Sequence, residues 1–272
     1  MRENETSETG LPQEEIAGNE TAMPSAPSAT PPDAADLLRA AADPALTEDL
    51  ALALLHRAEL PSEVLEQLAR NANPLKSRKV RIALVCHPHT PRHVSVPLAR
   101  QFYTFDLMKV TLATGVPADV KVAVDDVLIS RLKTITVGER LTLARRASGR
   151  VAAALLLDVE SFDTKNANAK AVGRATRIMQ VALENPRLTE ALIINAVLDR
   201  SASAALVHAV ARHSKWSHRK EIRTALLRTE HLSLARALEF SRDVPALLRH
   251  ELLASSRLPD QIKDQLQRES SA

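Results

Sequence analysis

The segment Val80-Arg81-Ile82-Ala83-Leu84-Val85-Cys86-His87-Pro88-His89-Thr90-Pro91 decides how this chain is read. Val80 and Leu84 stand four residues apart and so share one face of a helix. His87-Pro88 marks an interhelix turn. Pro91 opens a second helix without losing a hydrogen bond, because the first N–H groups of a helix have no intrahelical partner. Val94 and Leu98, three and seven residues beyond Pro91, give that second helix its own apolar stripe. Two short helices therefore share one core.

The same frame recurs. Landmarks Pro61, Pro91, Pro117, Ser148, Thr189, Ser233 and Pro259 each open the second helix of a pair. Eleven residues before them stand Leu50, Val80, Asp106, Val137, Ile178, Ile222 and Leu248, and seven before stand Leu54, Leu84, Val110, Leu141, Ala182, Leu226 and Leu252. Three after stand Val64, Val94, Val120, Val151, Leu192, Arg236 and Ile262, and seven after stand Leu68, Leu98, Val124, Leu155, Ala196, Phe240 and Leu266. Only Asp106 and Arg236 break the pattern, so 26 of these 28 positions are apolar where the 45% hydrophobic composition gives about 13. The gaps between landmarks are 26 to 31 residues, apart from one of 41, which takes in a polar insertion at 161–170, and one of 44, which takes in an extra helix at 203–212 ending at Trp216. Helix pairs of this size cannot bury their stripes alone and must stack on their neighbours.

Composition narrows the functions. Six aromatic residues in 272 cannot build the stacking platforms of a single-strand binder, and four glycines in the body leave no glycine-rich phosphate cradle. One cysteine, Cys86, excludes an internal disulfide, an all-cysteine zinc site and a cysteine-held iron–sulfur cluster, and it fits a reducing compartment. With no run of about 18 apolar residues and no secretory pattern, the expectation is a soluble cytoplasmic protein that does not engage membranes. Residues 1–33 combine Glu, Ser, Thr and Ala with five prolines and are expected to form a disordered tail ahead of a helical body at 34–272. Eight carboxylates against Arg2 give residues 1–36 a charge of −7, which leaves +10 on the remainder. A basic body attracts polyanions or acidic partner surfaces, and an acidic tail in the same chain is suited to competing with them for the basic face.

The segment 80–91, echoed at Ile178–Thr189 with its Asn185-Pro186 and more weakly at Ile222–Ser233, resembles the leucine-rich repeat variant, a relative of HEAT and armadillo repeats. The resemblance spans residues 50–268 and is close only in the first segment. It implies an all-α, right-handed α-solenoid of about seven stacked helix pairs, an armadillo- or HEAT-like superhelix whose concave surface is a protein-binding scaffold. Some proteins of this kind add an iron–sulfur domain with clustered cysteines, from which a chain with Cys86 alone departs. No catalytic residue carries across.

The candidate binding surface consists of two basic clusters with one aromatic residue: Lys76, Arg78, Lys79 and Arg81, and then Arg212, Lys215, Trp216, Arg219, Lys220, Arg223 and Arg228, with His213 and His218 interspersed. If successive units align these clusters, they form a stripe able to neutralise several phosphates without reading bases; the plainer alternative is a solvated helix surface. Trp216 either anchors a partner or wedges two helices together. Phe102, Tyr103 and Phe105 are expected in the core. Cys86, His87, His89 and His93 collect metal-ligand types, but their spacing runs across a helix end and a turn, so no metal or other cofactor is expected. Asp125 and Asp126 point about 100° apart on a helix and do not form an acid–base couple. The leading expectation is a non-catalytic scaffold with a protein partner. Sequence-independent nucleic-acid binding comes second, and a HEAT-like DNA glycosylase, by analogy alone, third.

Overall fold

The computed structural model describes residues 33–158 and 169–271, and these form sixteen α-helices and no strand. In chain order they are α1 (Ala34–Ala42), α2 (Glu48–Leu55), α3 (Ser62–Arg70), α4 (Arg78–Cys86), α5 (Arg92–Ala99), α6 (Thr104–Leu112), α7 (Ala118–Arg131) and α8 (Val137–Arg146). There follow α9 (Gly149–Leu156), α10 (Ala169–Leu183), α11 (Glu190–Leu198), α12 (Ala204–Arg212), α13 (Lys220–Leu226), α14 (Leu234–Arg242), α15 (Ala246–Ala254) and α16 (Asp260–Ser271). The expected disordered tail, apart from Asp33, and most of the expected polar insertion lie outside the described residues.

Every landmark stands immediately before a helix. Pro61, Pro91, Pro117, Ser148, Thr189 and Ser233 are the N-cap residues of α3, α5, α7, α9, α11 and α14, and Pro259 directly precedes α16. Proline thus sits one position earlier than expected, outside the first helical turn. There its extended backbone still lets its carbonyl accept the first helical bond, as Pro91 does from the Ser95 N–H at 3.0 Å.

Helices two apart in the chain pack side by side. Among even-numbered helices α2 meets α4, α4 meets α6, α8 meets α10 and α10 meets α12; among odd-numbered ones α1 meets α3, and α5, α7, α9, α11 and α13 follow one another. Other pairs, such as α4–α5, α6–α7 and α8–α9, pack across their connecting turns. The extra helix changes the phase of the pairing, because α12 packs on α10 and α13 on α11, so these two make a pair of their own. Ser233 consequently opens an even-row helix rather than the second helix of its pair.

The interior is aliphatic and falls into two clusters that adjoin at α4. Val80 and Leu84 face an N-terminal cluster with Ala41, Leu60 and Leu65, and Val85 faces the larger cluster that continues to Leu266. Three stripe positions are solvent-exposed: Leu50 at 59%, Val137 at 44% and Leu248 at 45%. In α2 the buried stripe lies one residue later, on Ala51 and Leu55. The stripe-breaking Asp106 is itself buried, held by two charge-assisted bonds from Arg78, Nε to Oδ2 at 2.7 Å and Nη2 to Oδ1 at 2.6 Å.

Polar stitches between turns tie neighbouring units together. Asn71 Nδ2 donates to the carbonyls of Ala41 (3.1 Å) and Asp43 (2.7 Å), His87 Nε2 donates to Arg57 O (2.9 Å), and Asn185 Nδ2 donates to Ala144 O (2.8 Å) and Ala147 O (3.2 Å). In each case the other polar atom of the same side chain accepts from the N–H two residues on, at Asn73, His89 and Arg187. One side chain thereby closes its own turn and caps carbonyls at the end of an earlier helix, groups that a helix terminus leaves without partners.

Candidate binding surfaces

Two edges of the stack carry the sequence-predicted residues, and they differ in chemistry. The first edge is made by the N-terminal turns of α2, α4, α6 and α8. Lys79 pairs with Glu48 at 3.2 Å, joining α4 to α2, and that contact, after a hydrogen bond from Ser77, holds the Glu48 carboxyl below its usual range. Arg78 joins α4 to Asp106 of α6 and lies 5.6 Å from the Tyr103 ring, and its bonds to Asp106 raise the guanidinium above its usual value. Glu139 completes a capping box with Thr136 that lowers its carboxyl, with a smaller contribution from Thr104 that links α8 to α6.

Along this edge Leu50, Tyr103, Phe105 and Val137 stand in or beside the first turns of their helices and are exposed by 59%, 72%, 40% and 44%. Of the three aromatics expected in the core, only Phe102 is buried. Tyr103 and Phe105 flank buried Thr104 at the mouth of α6, where the alternation of an extended N-cap and a first helical turn sends their rings outward. Leu50 and Val137 were missed as surface residues because an apolar residue at a stripe position reads as core, and Tyr103 and Phe105 because bulky aromatics are ordinarily buried.

In the first basic cluster, two of the four cations are held by carboxylates of other helices. Arg78 and Lys79 are engaged in interhelix pairs, and Arg81 is half-buried with its Nε shielded from solvent. Lys76 is exposed, with a long 3.5 Å contact to Asn73. Nor do the two clusters form one stripe: α4 packs on α2, α5 and α6, whereas α12 and α13 pack on α10 and α11.

The second edge holds the turns that lead from even to odd helices. Trp216 is 2% exposed and its Nε1 donates to Leu183 O at 2.8 Å, so it is a wedge between helices and not a surface residue. Lys215 lies over its ring at 4.0 Å. Arg223 is likewise structural, donating from Nε to Ser217 O at 2.6 Å, pairing with Asp243 and lying over the Phe240 ring. Arg219 contacts Glu190 at 3.8 Å. Arg212, Lys220 and Arg228 are exposed and have no side-chain partner among the described residues. Burial pushes the His213 imidazole below its usual value, with Glu184 opposing and Lys215 adding to the shift, and its Nδ1 accepts from the Lys215 N–H at 3.1 Å. An open groove of about 620 Å³ between α10 and α12, with Gln180, Glu184, His208 and Arg212 on its walls, lies beside this turn.

Asn185 and Trp216 bring two further basic turns against this one. The α8–α9 turn presents Arg145 and Arg146, and the α10–α11 turn presents Arg187, whose Nη1 donates to Arg146 O at 3.2 Å. Sequence reading passed over these three because they are scattered along the chain. Their common signal is position, since each lies two or three residues before a landmark serine or threonine.

The remaining titratable groups are used locally. His87 has both ring nitrogens on backbone groups, His89 Nδ1 donates to Leu60 O at 3.0 Å and His93 contacts Glu66 at 3.4 Å, so the histidines of this turn diverge; no group of three potential metal ligands converges among the described residues. Burial raises the half-buried Cys86 thiol to about 11. Asp125 is buried and accepts from Ser148 Oγ at 2.8 Å, while exposed Asp126 pairs with Arg150. No helix among the described residues is long and apolar enough to cross a membrane. No family model, no curated protein and no solved structure matches the chain.

Proposed function

We propose that this chain is a non-catalytic, cytoplasmic scaffold, a right-handed α-solenoid of the HEAT or leucine-rich repeat variant kind, that binds a protein partner along the edge formed by the first turns of α2, α4, α6 and α8. The observation that carries the reading is the set Leu50, Tyr103, Phe105 and Val137, exposed bulky side chains at the N-cap or within the first turn of three even-row helices, α2, α6 and α8. Protein interfaces concentrate binding energy in a few such anchors, tyrosine prominent among them, surrounded by polar groups that exclude water. Glu48, Lys79, Arg78 and Asp106 supply that polar setting and hold the anchors in register. The stack itself follows from packing between helices two apart, the arrangement by which repeat units bury stripes they cannot bury alone.

Photocrosslinking from position 103, with position 122 as an exposed apolar control, tests this directly. A partner captured at 103 and not at 122 should bind the purified chain, and Tyr103→Ala with Phe105→Ser should weaken that binding at least tenfold with unchanged thermal stability. Equal capture from both positions, or undiminished affinity in the double variant, would remove the reading.

A further inference from the structure

We infer that the second edge is a sequence-independent binding surface for the phosphodiester backbone of a nucleic acid, built from the α8–α9, α10–α11 and α12–α13 turns. The three turns are fastened side by side. Asn185 joins the second to the first through Ala144 O and Ala147 O, and Trp216 joins the third to the second through Leu183 O. Gly149 makes the first joint possible, because a Cβ there would lie 2.2 Å from Arg187 O. Exposed cations project from all three: Arg145 and Arg146, then Arg187, then Arg212, Lys215 and Lys220. The run 212–220 contains four cations and no carboxylate, and 145–150 contains three cations and none.

Several of these charges are free to meet an anion. Arg145, Arg146, Arg212 and Lys220 have no side-chain partner among the described residues. Arg187 touches only a backbone carbonyl, and Lys215 only the Trp216 ring, so neither charge is neutralised. Glu184 and Glu190 also reach this edge, the second already in contact with Arg219.

The lining distinguishes a nucleic acid from an acidic protein. A protein partner needs apolar anchors, and every large exposed apolar side chain among the described residues lies outside 144–220; Trp216, the aromatic of this region, is buried. Guanidinium groups dominate, and their planar fork matches phosphate oxygens in pairs. With no exposed aromatic at the edge, there is nothing on which bases could stack, so contacts fall on the backbone alone. At helix spacings of about 8–10 Å the three turns span roughly 20 Å, the length of about six nucleotides of one strand in a duplex.

The test is fluorescence anisotropy of the full chain with labelled 20-mer duplex DNA, single-stranded DNA and RNA, titrated with salt from about 50 to 200 mM. Micromolar or tighter binding is expected at the lowest salt. With four unpaired cations contacting phosphates, affinity for the duplex should fall by about 100-fold or more across that range. Arg145→Glu with Arg146→Glu, and separately Arg212→Glu with Lys220→Glu, should each weaken binding at least tenfold while the melting curve by circular dichroism is unchanged. Lys109→Glu, an exposed charge reversal on α6, should stay within about twofold. Absence of binding at 50 mM salt, equal loss in the Lys109 variant, or tight binding of polyglutamate with none of nucleic acid would overturn the assignment, the last in favour of an acidic protein. The Tyr103 and Phe105 substitutions leave this edge intact, so the outcome is independent of the scaffold reading.

Discussion

Replacing Asn185 with alanine should detach the α10–α11 turn from the end of α8. The Asn185 side chain is 1% exposed, donates to two carbonyls and accepts from the Arg187 N–H at 2.8 Å. Alanine leaves all three backbone groups without that partner. A buried polar group stripped of its hydrogen bond costs about 1–3 kcal/mol, with carbonyls at the lower end because they have a second lone pair. The expected loss is therefore about 3–5 kcal/mol. Asn185→Asp keeps the acceptor for Arg187 and sets a carboxylate against two carbonyls, so it should lose at least as much as alanine. Asn71→Ala removes a homologous stitch whose contacts are largely solvated, and it should lose only about 1 kcal/mol. Folded chains open by segments, so the measurement is native-state hydrogen exchange, read at the amides of α8–α11, together with urea midpoints. A loss below about 0.5 kcal/mol for Asn185→Ala, or an aspartate variant more stable than the alanine one, would refute the stitching argument.

Other consequences can be checked on the same preparation. Leu84→Asp puts a charge into a wholly buried stripe where the two apolar clusters adjoin, and it should cost about 3 kcal/mol or more; an unchanged thermal midpoint would disprove that α4 holds them together. Gly149→Ala forces a methyl group toward Arg187 O at 2.2 Å and Leu192 Cδ1 at 2.9 Å, and overpacking of this kind costs about 1–3 kcal/mol, which differential scanning calorimetry should register as a midpoint several degrees lower. Burial raises the Asp125 carboxyl above the usual aspartate value, against opposing contributions from Ser148 and Arg150. A group with a raised folded pKa favours the protonated form, so its contribution is full below the ordinary aspartate value and is lost as pH rises from there through the raised one. The substitution Asp125→Asn keeps an acceptor for Ser148 and removes this penalty; the variant should melt higher than the parent at pH 7 and converge with it toward pH 3, and a lower melting point at pH 7 would contradict the sign.

The helical stripes were legible because burial imposes periodicity. Val80 and Leu84, or Val120 and Val124, must be apolar to lie between helices, and their spacing of four survives any change in what surrounds them. The landmarks were legible for a related reason, since the residue before a helix must hold an extended backbone, a conformation that proline adopts readily and that serine stabilises by capping. What periodicity could not convey was phase. Position 50 fits the stripe in sequence and faces solvent in α2, where Ala51 and Leu55 are buried instead, because helices of 8 or 9 residues bury too few side chains to hold a stripe in place against a one-residue rotation. The change of pairing at α12 was invisible for the same reason, since either partition of the helices presents apolar stripes at equal spacing.

Surface residues obey no such period, and the two edges show why. A cation's partner lies 28 residues away for Arg78 and 20 for Arg223, so a cluster that looks uniformly basic along the chain divides in space into charges that hold helices together and charges that remain free. Conversely Arg146, Arg187 and Arg212 look unrelated in sequence and meet on one edge because packing between helices two apart places their turns side by side. In a stacked helical chain the informative comparison is therefore between turn residues at equal distance from the N-cap of the following helix. Applied to Ser148 and Thr189, that alignment picks out Arg145, Arg146 and Arg187; the α12–α13 turn escapes it because the inserted helix breaks the register and Arg219, not a landmark serine or threonine, caps α13. A linear charge cluster finds the third turn and the alignment finds the first two, which is why neither reading alone reveals the edge.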